Sequence, residues 1–311
     1  MRLNAIVSIV LATVCVDLSS SAPASAAAAP EPIVSMRLLR DERGPLKVRT
    51  RTDEGVSLRV VFDTAAASSI LFDHKGTDDI SPALGRGHMV YFPFTDRMID
   101  YRLIDWITLS FGKHTFTSNS WVYGPWKQTG LFPGRAEPNY DVIAGRDVFT
   151  SYTVAVDPQK RRVKLYNSGE DLSARYRTSV DIVDLNPLIA VPVTYTRRDT
   201  GESTEKLMII DTGFSGVLMF ANAAELAQLQ ATEYTAPADT IGDALVVDGS
   251  IKFAGFPALE QKALIVSKGA FKADGVLGTG FLNNYRYAFD MEAKKLYLTA
   301  LRKSGKAQSF Q

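Results

Sequence analysis

Arg197 to Met219 reads RRDTGESTEKLMIIDTGFSGVLM, with Asp-Thr-Gly at Asp199 and again at Asp211. The two triplets have opposite settings. Asp199 has charged or polar neighbours on both sides and falls between two strand-like runs, Val191 to Thr196 and Leu207 to Ile210. That is the composition of a hairpin tip. Asp211 follows Leu207-Met208-Ile209-Ile210 and precedes Gly213 and the apolar run Val217 to Phe220. A carboxylate between two buried strands is costly to desolvate, so it needs hydrogen-bond donors or a function.

The partner of Asp211 comes from an internal repeat. Leu58 to Phe72 reads LRVVFDTAAASSILF and Lys206 to Phe220 reads KLMIIDTGFSGVLMF, so Asp63 occupies the position of Asp211. Further on, Asp141 to Leu165 aligns without a gap with Asp274 to Leu298. Each copy has Asp, two apolar residues and a glycine (Ile143-Ala144-Gly145; Val276-Leu277-Gly278). A short helix-like piece, a strand from Tyr152 or Tyr285, a charged turn and a last strand follow. Upstream of each aspartate lies one more strand-like run, Pro45 to Thr52 and Leu188 to Thr196. β-Branched and aromatic runs separated by turn residues predict a mainly β protein. Two homologous halves span 31–167 and 181–301, with a linker at 168–180 and a tail at 302–311. The clearest helix is expected at Ala221 to Leu229.

Composition narrows the function. The chain has 311 residues, a formal charge of +1 and a 46% hydrophobic share, which fits a globular protein and gives no reason to expect nucleic-acid binding. Residues 1–26 read as a signal peptide: Arg2, an apolar stretch from Leu3 to Val16, then A-x-A sites ending at Ala24 and Ala26. No later run is apolar and long enough for an integral membrane span. Cys15 is the sole cysteine and lies inside the leader. The mature chain then has no thiolate nucleophile or disulfide, which suits a periplasmic or extracellular bacterial protein. His74, His88 and His114 are widely spaced, so neither a metal nor any other cofactor is expected. With no histidine after His114, the α/β-hydrolase order of triad residues is impossible.

Two equivalent carboxylates that meet cannot both ionise easily; they share a proton. One can then act as base on a water while the other polarises a carbonyl. With these residues the sequence resembles the aspartic peptidases, of pepsin-like and retropepsin-like type; two fused lobes behind a signal peptide are similar to the bacterial secreted forms. The resemblance rests on Asp-Thr-Ala at Asp63, Asp-Thr-Gly at Asp211, and the downstream IAG and VLG. It implies a bilobal pepsin-like fold of two β-barrel-like lobes with a central cleft, and endopeptidase activity on a peptide or protein substrate, with Asp63 and Asp211 holding the lytic water. It also implies that Thr64 and Thr212 interlock between the lobes and that Gly145 and Gly278 pack beside the aspartate loops. Thr64, Ala65, Thr212 and Gly213 would border the substrate, and Tyr91 or Phe92 would cover it from a hairpin over Met89 to Tyr101. A shorter hairpin candidate lies around Ile241 to Val247. Two lobes in one chain predict a monomer.

Ala65 departs from the pattern, which has glycine there. If that position needs a left-handed backbone, the methyl costs on the order of 1–2 kcal/mol. The departure favours a second reading, a degenerate protease-like peptide-binding or inhibitor module. Ala66 and Phe214 also stand where acid-active relatives carry a hydroxyl that donates to the carboxylate. Fewer donors predict higher dyad pKa values and a mildly acidic to near-neutral optimum.

Overall fold

The computed structural model describes residues 30–39, 44–74, 77–80, 84–92, 97–105, 107–118, 120–126, 139–230, 235–238, 242–267 and 272–301. The leader, Cys15, Trp106, the connection 93–96 and the tail 302–311 lie outside them. The protein is mainly β, as the alternating runs predict.

Three sheets account for the strands. A nine-stranded sheet uses the first half only, in the order Leu84–Phe92, Arg97–Ile104, Val122–Pro125, Ile70–Asp73, Val142–Ala144, Ser57–Phe62, Leu46–Thr52, Ile107–Phe111, His114–Ser118. An eight-stranded sheet uses the second half only. Its order is Val183–Asp184, Ile189–Arg197, Ser203–Asp211, Gly275–Gly278, Val217–Ala221, Leu259–Ser267, Gly242–Lys252, Thr235–Ala238. Gly242–Lys252 also pairs with Ile189–Arg197, which closes this sheet on itself.

The duplication in sequence is therefore a duplication in topology. Val142–Ala144 runs parallel to Ser57–Phe62 and antiparallel to Ile70–Asp73. Gly275–Gly278 stands in the same relation to Ser203–Asp211 and Val217–Ala221. Strands flanked on both sides lose the polar-out alternation, which is why Val60, Val61 and Phe62, like Met208, Ile209 and Ile210, are all buried. The correspondence reaches further than the visible repeat. Ile70–Asp73 pairs in parallel with Val122–Pro125, and Val217–Ala221 pairs in parallel with Leu259–Ser267.

The third sheet joins the halves. Its six strands run Val34–Arg37, Arg162–Asn167, Tyr152–Asp157, Tyr285–Asp290, Lys295–Ala300, Thr178–Asp181. The seam lies between Tyr152–Asp157 and Tyr285–Asp290, where Ala155 faces Ala288. Phe149 meets Phe289 edge-on across the same seam, with ring centroids 5.6 Å apart. The two charged turns of the repeat are alike in detail. Arg161 and Lys294 both take positive φ, and Asp157 and Asp290 each accept an N–H three residues on.

Helices are short: Arg146–Ser151, Ala223–Gln230 and Thr279–Leu282. The expected helix from Ala221 starts two residues later, because Ala221 is still in a strand and Asn222 caps the helix by accepting the N–H groups of Ala224 and Glu225. The hairpin over Met89 to Tyr101 is present in a longer form, with Met89 opposite Asp100 and Phe92 opposite Arg97. The second-half candidate is also larger than the sequence suggests. Thr235–Ala238 pairs with the start of Gly242–Lys252, at the sheet position that the Leu84–Phe92 hairpin holds in the first half. Among the described residues, no helix is long and apolar enough to cross a membrane.

Candidate active site

Asp63 directly follows Ser57–Phe62, and Asp211 is the last residue of Ser203–Asp211. Each strand thus delivers its aspartate to the start of a tight loop. Asp63 Oδ1 accepts the N–H of Ala65 at 2.8 Å, and Asp211 Oδ1 accepts the N–H of Gly213 at 2.8 Å. The N–H of Ala66 reaches the Asp63 carbonyl at 3.3 Å; that of Phe214 reaches the Asp211 carbonyl at 3.4 Å. The two loops are one local structure, built twice.

They meet reciprocally. Thr64 N–H donates to Thr212 Oγ1 at 3.1 Å, and Thr212 N–H donates to Thr64 Oγ1 at 3.2 Å. Thr64 Oγ1 in turn donates to the Ile210 carbonyl, and Thr212 Oγ1 to the Phe62 carbonyl, both at 2.7 Å. All four groups are buried. The interlock sets the carboxyl groups of Asp63 and Asp211 within hydrogen-bonding reach of each other. Asp211 is 7% exposed and Asp63 is half-buried.

Electrostatics follow from this enclosure. Burial raises the pKa of Asp63 above the usual carboxylate range, partly opposed by the Ala65 N–H and the hydrogen bond with Asp211. Asp211 is driven up further, by burial and then by the negative charge of Asp63. The pair therefore holds one proton well above the pH at which isolated carboxylates lose theirs, and the more enclosed Asp211 is the better place for it.

Gly145 and Gly278 hold the loops from behind. A β-carbon at Gly145 would lie 2.7 Å from the Ser68 carbonyl oxygen, and one at Gly278 would lie 2.5 Å from the Phe214 carbonyl oxygen. No side chain fits either place. Arg146 N–H donates to the Ala66 carbonyl at 2.9 Å, and Thr279 N–H to the Phe214 carbonyl at 2.8 Å. Ser69 adds a clamp in the first half. Its hydroxyl accepts from Gly145 N–H and donates to Asp147, which also accepts from the Trp121 indole.

Position 65 has no left-handed requirement: neither Ala65 nor Gly213 takes positive φ. The two loops nevertheless differ. A β-carbon at Gly213 would lie 2.4 Å from Asp63 Oδ2, whereas the Ala65 methyl packs against the apolar cluster around Leu188, Ile209 and Val276. Asp199 is far from this chemistry in kind: it is exposed at a turn, gripped by the Arg197 guanidinium at 3.0 Å. Tyr91 and Phe92 are the last two residues of their strand at the hairpin end.

One buried group escaped the sequence reading. Asp141 accepts from Arg59 N–H and from its guanidinium at 2.7 Å, and lies 3.1 Å from His74 Nε2. Burial alone would raise it, but hydrogen bonds from His74 and Arg59 hold it at about 2. Asp274, its counterpart, accepts the equivalent backbone N–H, of Leu207, at 2.9 Å. The repeat aligned the two aspartates; nothing local tied either one to a strand 67 or 82 residues earlier. Trp121 and Trp126 are buried in two separate clusters.

No protein-family model matches the chain, and no curated protein sequence does. In fold the chain is similar to basic 7S globulin from soybean, with a TM-score of 0.52 over 88% of this chain and 96% of that one, at 11% identity. At that identity the likeness concerns the fold alone.

Proposed function

We propose that this chain is an exported aspartic endopeptidase of bilobal pepsin-like architecture, in which Asp63 and Asp211 activate a water against a peptide bond. The observation that carries the reading is the reciprocal interlock of two equivalent Asp-Thr loops, which sets their carboxyl groups within hydrogen-bonding reach of each other. A structural role alone gives no reason to bury two like-charged groups against each other.

In this reading each half is a lobe, 31–167 and 181–301, and residues 1–26 are the export signal. Asp211 holds the shared proton and Asp63 is ionised. Asp63 takes a proton from water as the water oxygen bonds to the peptide carbonyl carbon and the C=O π bond opens. Asp211 gives its proton to the carbonyl oxygen, forming a neutral diol. Collapse breaks the C–N bond, moves a proton to the leaving nitrogen and restores the dyad. The loops Thr64-Ala65 and Thr212-Gly213 border the scissile bond. The hairpin end at Tyr91 and Phe92 covers an extended peptide, which binds through its main chain. No metal or other cofactor takes part, and one chain suffices as a monomer.

The test is peptide cleavage by the protein between about pH 3 and pH 8, with Asp63→Asn and Asp211→Asn as controls. Cleavage lost in both variants supports the reading. An inactive wild type supports the second reading, a non-catalytic peptide-binding or inhibitor module. Full activity in either variant overturns the dyad.

A further inference from the structure

The two aspartate loops carry different side chains at the residue third after each carboxylate: Ala66 after Asp63, Phe214 after Asp211. Both are half-buried, and both N–H groups bond back to their own aspartate carbonyl. They occupy matching places in matching structures. Ala66 packs on a cluster that includes Ile70, Phe72 and Ile143. Phe214 packs on the equivalent one, which includes Leu218, Phe220 and Val276.

The large ring is accommodated by a second substitution. Gly216 stands where the first loop has Ser68. A β-carbon at Gly216 would lie 2.7 Å from Phe214 Cζ, so the ring lies directly over the glycine. Phe214 and Gly216 form a matched pair, as Ala66 and Ser68 do. The asymmetry is built into the backbone contact, not a surface accident.

Resting on the aspartic peptidase reading, we infer that the substrate must be asymmetric in size about the scissile bond. A peptide crossing both carboxyl groups passes one loop on each side. The side bordered by Ala66 presents only a methyl group on an apolar backing, and takes a bulky apolar side chain. The side bordered by Phe214 carries a large ring over the same kind of backing, and takes a small one. Phe214 is thus a specificity-determining residue, and Ala66 its counterpart.

Position-resolved cleavage of a mixed peptide library tests this. The wild type prefers a bulky apolar residue on one side of the cut and small residues on the other. Phe214→Ala raises kcat/KM for bulky residues on the restricted side by about tenfold or more, leaving the other side unchanged. Ala66→Phe lowers it for bulky residues on the permissive side by a similar factor. Phe214→Leu, which preserves most of the packing, gives an intermediate shift and serves if Phe214→Ala fails to fold. Cleavage with equal size tolerance on both sides, or an unchanged profile in the folded variants, overturns this inference and leaves the peptidase reading intact. Absence of any cleavage by the wild type removes the peptidase reading, and this inference with it.

Discussion

Gly213 and Ala65 occupy the same place in two copies of one loop, yet only one tolerates a methyl. A β-carbon at 213 would press on Asp63 Oδ2 at 2.4 Å. We expect Gly213→Ala to reduce kcat/KM by about 100-fold or more through displacement of Asp63, since small misplacements of reacting groups have effects of this size. Ala65→Gly should stay within about threefold in activity and cost at most about 1 kcal/mol, because its backbone is not left-handed. A steady-state assay of both variants, with thermal melts, checks the pair. The carboxylates also leave a mark on stability. The folded-state pKa values are raised, so the native state holds a proton that the unfolded chain has released above about 3.8. Stability from this source is present at low pH and declines as pH rises toward the folded-state value. Asp211→Asn removes the need to take up that proton on folding, so its Tm at pH 7 should exceed that of the wild type. A Tm lowered by that substitution would contradict the shared-proton description. The sequence made both aspartates legible through the repeat, but not the unequal pressure on them, which depends on which loop faces which carboxyl.

The Thr64–Thr212 interlock supports the loops at the scale of elements. Replacing either threonine by valine keeps the volume but strands a buried N–H on the partner loop and a strand-end carbonyl. Each change should cost about 1–3 kcal/mol, and the double variant less than the sum, since the contacts are one network. Chemical denaturation of the four proteins checks this. The Asp141 cluster acts on pH in the opposite sense to the dyad. Its pKa is held at about 2 against a usual 3.8, so its contribution is complete above the usual value and lost as pH falls toward about 2. Asp141→Asn should flatten the acid limb of a stability–pH curve while leaving the alkaline limb. The sequence marked Asp141 as part of a repeat. It could not mark Arg59 and His74 as its partners, because Leu207 replaces Arg59 in the other copy and breaks the pattern.

The seam between Tyr152–Asp157 and Tyr285–Asp290 makes the halves one sheet, and one apolar core contains residues from both. Thermal unfolding should therefore be a single transition, with two separated transitions contradicting it. Strand order repeats across the halves where sequence similarity has gone, as in the pairing of Val122–Pro125 and of Leu259–Ser267. Such pairings were not legible because a strand at a sheet edge or under a hairpin needs only apolar, β-favouring residues, not particular ones. The segments around the aspartates were legible because close backbone packing at Gly145 and Gly278 permits almost nothing else. In the proposed function the meeting of the halves makes one proton-sharing catalytic pair. Its most direct test is the pH dependence of kcat/KM for peptide cleavage. A shared proton gives a bell-shaped profile peaking in the mildly acidic to near-neutral range, abolished in both Asp63→Asn and Asp211→Asn; a peak near about pH 2–3, or a profile unchanged in either variant, overturns the catalytic pair.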